Sequence, residues 1–172
     1  MKALMITLML PLMCLAQIQF IPISADYAAF NQTDSTAYVE VYLSLFQGNL
    51  QYELKGDTAV CTFVTRTEIS KNGRPVSDRE HKYQNTVTDT ANFKSYNQFV
   101  DLFAFELPYD NYTATVEIED LGSKRRGEYI LEMNLKAPEK QMHISDIELA
   151  TRVESDGGTS LFNKNGLIVV PN

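Results

Sequence analysis

The chain is 172 residues long, 44% hydrophobic and formally −7 at pH 7. That length fits one domain, and the apolar content is enough for a packed core, which argues against a disordered chain. The acid excess argues against a nucleic-acid partner, because such binding rests on Lys and Arg contacts to phosphate.

Residues 1–16 hold one early cation, Lys2, and then an almost unbroken apolar run to Ala16. The run is too short for a bilayer span, which needs about 20 apolar residues. It suits a secretory signal, with Cys14 and Ala16 as the small residues before the cut. Bulky Met13 stands where a lipoprotein signal needs a small residue, so Cys14 is not read as a lipid site. Removing 16 of 172 residues leaves 156, with 14 basic and 22 acidic side chains and a net charge of −8. The expected location is outside the cytoplasm: periplasmic, cell-surface or secreted, with no transmembrane anchor. Cys61 is then the one cysteine of the mature chain, so the fold must stand on its apolar core without an internal disulfide. It falls in an alternating strand, where a buried small hydrophobe is the usual role.

From residue 37 onward, period-2 alternation dominates. In 37–46, Val39, Val41, Leu43 and Leu45 point one way, and Tyr38, Glu40, Tyr42 and Ser44 point the other. Gly48-Asn49 turns the chain into a strand at 50–55, and Gly56-Asp57 into another at 58–70, rich in Thr, Val and Phe. Asn72-Gly73 is the strongest hairpin signal, since both residues tolerate the positive φ of a type I′ turn. The strand after it, 76–87, is polar and predicts an edge or largely solvated position. Residues 88–97 read as a connection. The next segment, 98–107, is ambiguous, since Phe93, Tyr96, Val100 and Phe103 fit a helical stripe; the alternation of Phe99, Phe103, Phe105 and Leu107 up to Pro108 favours a strand. A half-buried strand follows over 112–119, then a polar loop at 120–127 whose Lys124-Arg125-Arg126 reads as a solvated tip, then a partner strand at 128–135. Eight short strands punctuated by turns predict an all-β sandwich or barrel.

Ala137-Pro138-Glu139-Lys140 reads as a linker. Residues 138–172 read as that linker and a C-terminal β segment, which ends in Leu167-Ile168-Val169-Val170, an apolar strand lacking an evident partner. It is expected to add to an edge of the preceding domain, or to begin a truncated second domain.

Leu107-Pro108-Tyr109-Asp110-Asn111-Tyr112 resembles the start of a late strand in immunoglobulin-like sandwiches, where a tyrosine ties the corner to nearby backbone. The chain has no Trp, so antibody-type domains are not the parallel. The fold class expected is an immunoglobulin-like antiparallel β-sandwich over 17–137 with a C-terminal β extension. Three further stretches, Val39-Glu40-Val41-Tyr42-Leu43, Ile144-Ser145-Asp146-Ile147-Glu148-Leu149-Ala150 and Phe162-Asn163-Lys164-Asn165-Gly166-Leu167 with Val169-Val170-Pro171-Asn172, carry a resemblance across most of the mature chain. They are similar to the N-terminal part of exported bacterial proteins named for a Gly-Trp-x-Thr-Asp motif. The motif itself is absent here. The resemblance implies an envelope compartment, a β-fold and further β-structure beyond this segment, and it carries no activity over.

Residue chemistry points away from catalysis. His81 lies in the polar run Asp78-Arg79-Glu80-His81-Lys82, His143 at the linker near Asp146, and no Gly-x-Ser-x-Gly elbow accompanies either. Glu117 and Glu119 share one strand's wet face beside Asp120, as solubilising acids do. Two scattered His and one Cys do not make a zinc set. Asp156-Gly157-Gly158 and Asn163-Lys164-Asn165-Gly166 are oxygen-rich, match no full calcium loop and read as turns. No phosphate-cradling loop occurs, and no cofactor is expected. The distinctive feature is an aromatic face, Tyr38 and Tyr42 with Phe46 in the same phase, which suits a protein interface or a stacked sugar. The expected role is a non-enzymatic interaction or structural module. Its partner would be an envelope protein or the missing remainder of the polypeptide; a glycan is the alternative, and a hydrolase the remote one.

Overall fold

The computed structural model describes residues 20–88, 97–138, 144–155, 160–164 and 166–171. The expected signal with Cys14, Phe93 and Tyr96, His143, Asp156-Gly157-Gly158 and Asn165 lie outside these residues. The described chain is all-β, with one 3-10 turn at Gln47–Asn49. No helix there is long and apolar enough to cross a membrane.

Eleven strands run in chain order: β1 (Ser24–Asn31), β2 (Thr36–Phe46), β3 (Glu53–Lys55), β4 (Thr58–Lys71), β5 (Arg74–Val87), β6 (Gln98–Pro108), β7 (Asn111–Asp120), β8 (Arg126–Asn134), β9 (Ala150–Ser155), β10 (Asn163–Lys164) and β11 (Leu167–Pro171). They form three antiparallel sheets. The first is β1-β2-β6. In the second, β4 has β5 along one side, while β3 and β7 share the other and β8 lies outside β7. The third is the small sheet β10-β11-β9.

The alternation read from the sequence sets the core. Val39, Val41, Leu43 and Leu45 of β2 are buried, as are Phe103, Phe105 and Leu107 of β6. They join Cys61, Phe63 and Ile69 of β4 and Tyr112, Ala114, Val116 and Ile118 of β7 in one cluster, so the first two sheets share a core. Each Val, Leu, Ile or Phe among them contributes about 1.5–3 kcal/mol on full burial. Cys61 is buried and free. Burial pushes its thiol pKa up, opposed in part by hydrogen bonds from Tyr52 and the Asn85 backbone.

Asn72 and Gly73 close the β4–β5 hairpin with φ of 51° and 71°, the doubly positive pattern of a type I′ turn. β5 pairs with β4 along its length and is mostly exposed, as its polarity predicts. At the turn before β7, the Tyr112 hydroxyl donates to Pro108 O at 3.0 Å.

Some expectations need correction. β1 lies ahead of the alternation read from residue 37 and sets Ala25, Tyr27 and Ala29 against the core. The strand expected at 50–55 shortens to Glu53–Lys55, because Leu50 turns inward to 5% exposure. The 120–127 loop is anchored at its base. Asp120 is fully buried and accepts from Gln51 N, Gly122 N and Ser123 Oγ at 2.7, 2.9 and 2.8 Å. Arg125 donates to Asn49 O at 2.6 Å, so it clamps the loop where a solvated tip is expected. The apolar tail has partners: β11 pairs with β9 on one side and β10 on the other.

Candidate functional site: the outer face of the first sheet

Even-numbered residues of β2 face away from the shared core. Register builds three cross-strand rows there: Phe30–Tyr38–Glu106, Ala28–Glu40–Ala104 and Asp26–Tyr42–Leu102. The middle row has alanine on both sides of Glu40, which leaves a trough between two aromatic rows. The C-terminal segment fills part of it. It is held at Ala29, whose N–H donates to the Asp146 side chain at Oδ2, 2.9 Å, and whose carbonyl accepts from Asp146 N at 3.2 Å.

Lys164 of β10 then reaches into the trough. Its Nζ donates to Glu40 Oε2 at 2.5 Å and to Glu148 Oε2. It also lies 5.4 Å from the Phe30 ring centroid and 6.0 Å from that of Tyr42, close enough for cation–π attraction. The Tyr42 hydroxyl donates to Glu40 Oε2. Glu40, expected on a wet face, is only 2% exposed. A carboxylate that buried must be paired or hydrogen-bonded, and Lys164 and Tyr42 supply both.

Burial pushes the Tyr42 phenol pKa well above its ordinary value, and its hydrogen bond to Glu40 adds to the rise. Tyr38 moves the same way for the same first reason, with Glu40 next. Burial works against the Lys164 charge, yet hydrogen bonds to Glu148 and Glu40 outweigh it and hold the ammonium pKa above 10.5.

The three aromatics of the expected face part company. Tyr42 is half-buried under the C-terminal segment, while Tyr38 and Phe46 stay 37% and 54% exposed. Two clefts share Glu148 as a wall. One, of about 370 Å³, is lined by Phe30, Tyr38, Glu40, Glu148, Leu161 and Lys164, among others. The other, of about 450 Å³, runs along β1 beneath Ile147 and Leu149.

His81 does not stand in a solvated run. Its Nδ1 lies 3.0 Å from Oδ1 of Asp101, a fully buried carboxylate of β6 that also accepts from Tyr83 OH at 2.6 Å, Thr65 Oγ1 at 2.5 Å and Leu102 N at 2.8 Å. The imidazole lies flat on Phe103, 4.6 Å between centroids. This group fastens the first sheet to the second, and the alternation pattern hid it because Asp101 sits in a core phase. Glu119 pairs with Arg126 at 2.6 Å, while Glu117 stays on the opposite face from the buried Val116 and Ile118, so the three acids of β7 do not converge. Asn163 Oδ1 accepts from Gly166 N at 3.0 Å, closing the turn read at that stretch.

A scan against protein-family models finds no match for the chain, and a search of curated proteins finds none either.

Proposed function

We propose that this chain is an exported, non-enzymatic, immunoglobulin-like β-sandwich that serves as an interaction or structural module of an envelope-associated protein. The observation that carries the interaction reading is the Lys164 ammonium held between Glu40 and Glu148 on the aromatic face. That face takes up β-structure through a partly buried cation, and the chain's own C-terminal sheet is its present occupant.

The sandwich reading draws support from strand order. β1-β2-β6 opposes β5-β4-β7-β8, and the chain crosses between these sheets at β2–β3, β5–β6 and β6–β7, crossings that suit a sandwich of the immunoglobulin kind. The Tyr112–Pro108 corner and the parallel bridge between Phe20 and Arg126 fit the same plan. The non-enzymatic reading draws on His81, whose ring packs in the seam between sheets. The exported reading rests on the 1–16 leader and on the resemblance to the Gly-Trp-x-Thr-Asp proteins.

A photo-crosslinking side chain at Tyr38 or Phe46, in the chain produced with its leader, tests both halves. A discrete protein adduct in the envelope fraction, on a chain whose N-terminus is Gln17, is the expected result. Intact Met1, a lipid on Cys14, or adducts found only with cytoplasmic proteins would defeat it. The carbohydrate reading keeps one observation of its own, the exposed Tyr38 beside a cleft. Glycan-array binding that disappears in Tyr38→Ala would favour that rival.

A further inference from the structure

β9 lies at the margin of the C-terminal sheet, paired to β11 on one side, and all six of its residues are exposed. Among the described residues nothing pairs with its other side. An open strand edge is a template for a further strand. Which backbone groups it offers follows from the register. Val169 N donates to Phe162 O at 2.9 Å, so the backbone groups of Val169 face β10. Those of Ile168 and Val170 therefore face β9, where their partners are Glu154 and Arg152. Strand alternation leaves the N–H and C=O of Val153 and Ser155 pointing outward at the open edge, while Thr151 sits at a register shift against β11.

The side chains along this edge read Thr151-Arg152-Val153-Glu154-Ser155, which is self-complementary about Val153. Arg152 and Glu154 project on the same face, 60% and 54% exposed and 3.6 Å apart at their charged atoms. On the opposite face Val153 is 57% exposed and sits across from Val169, with Leu167 42% exposed beside it.

We infer that β9 is an isologous docking edge for a second copy of this chain, joining two three-stranded sheets into one antiparallel sheet of six strands. With the two-fold axis at Val153, the outward N–H and C=O of each Val153 exchange hydrogen bonds with those of its counterpart. Each Arg152 stands opposite the other copy's Glu154, and the two Val153 side chains meet on the apolar face. A two-fold requires the same patch on both copies, and this pentapeptide meets that requirement. Shifting the axis to Arg152 would oppose arginine to arginine, and shifting it to Glu154 would oppose glutamate to glutamate, both unfavourable. Charge therefore selects one register. The inference stands apart from the aromatic face, which lies on another sheet.

The test is sedimentation equilibrium of the full chain with charge-swapped variants. The wild type is expected to show a concentration-dependent dimer. Arg152→Glu and Glu154→Arg should each weaken it on the order of tenfold or more, since two symmetric pairs turn repulsive. The double swap R152E/E154R should restore it. Val153→Pro removes an outward N–H while sparing the β11 ladder, so it should yield a monomer with an unchanged melting temperature. A wild type that stays monomeric into the millimolar range overturns the proposal, and a protected Val153 amide in that monomer would mark a different occupant. Dimers indifferent to the single swaps, or unrescued by the double one, overturn it as well.

Discussion

Gly73 and Gly127 belong to the same sheet but are glycines for different reasons. Gly73 has a φ of 71° with nothing near where a Cβ would go, so its requirement is purely conformational. Gly73→Val should destabilise by roughly 1 kcal/mol or more, because a β-branched residue is strained at positive φ. At Gly127 a Cβ would sit 2.2 Å from Ile21 O, where the chain ahead of β1 crosses β8 and Ile21 N donates to Arg126 O at 2.8 Å. Gly127→Ala should therefore cost about 1–3 kcal/mol by overpacking and free Ile21, which is fully buried. Thermal melts separate the two mechanisms: Gly127→Ala should be relieved by deleting the chain ahead of β1, and Gly73→Val should not. Cys61 supplies a further check at this scale. A buried thiol whose pKa burial raises reacts slowly under native conditions, so fast labelling would contradict the register of β4.

Among elements, the long alternating strands were legible before any coordinates. β2, β4 and β7 place their hydrophobic residues on the core side as the period demands, and Asn72-Gly73 turns as its φ tolerance demands. What escaped is of another kind. β1 sets Ala25, Tyr27 and Ala29 against the core, and because two of the three are alanines the alternation is faint in the sequence. Glu40 shares the phase of Tyr38 and Tyr42 and so reads as wet, yet the cation that buries it comes from 124 residues away. No short-range pattern encodes that pairing. Its consequence is measurable. Lys164→Ala leaves two largely buried carboxylates without their cation, at roughly 3 kcal/mol, so the C-terminal sheet should undock and Tyr42 should become open to quenchers; Lys164→Arg should retain much of the docking. The pH response has a definite sign. The Lys164 pKa is raised in the docked state, so its contribution is complete below 10.5 and fades as pH climbs through the raised value. Tyr42 and Tyr38 are raised too, and their neutral forms also favour docking on the acid side. Undocking should thus appear as a late alkaline step in tyrosine absorbance, one that moves down toward the ordinary phenol range in Lys164→Ala.

For the whole molecule, the shared core of the first two sheets is separable in principle from the third. Deleting 138–172 should lower the melting temperature and raise the accessibility of Tyr42 while leaving the Cys61 thiol protected. An unchanged melt with unchanged tyrosine quenching would mean that the C-terminal sheet contributes nothing to this fold. The distance in sequence between Glu40 and Lys164 also bears on synthesis. A ribosome delivers β2 and its partner β6 well before β10, and N-terminal units fold first. Glu40 points to the outer face, where Tyr42, Glu148 and Lys164 come to lie over it, so during that interval its carboxylate stays hydrated. The C-terminal sheet then brings burial and countercharge in a single docking event. The nascent protein never has to harbour a lone buried anion.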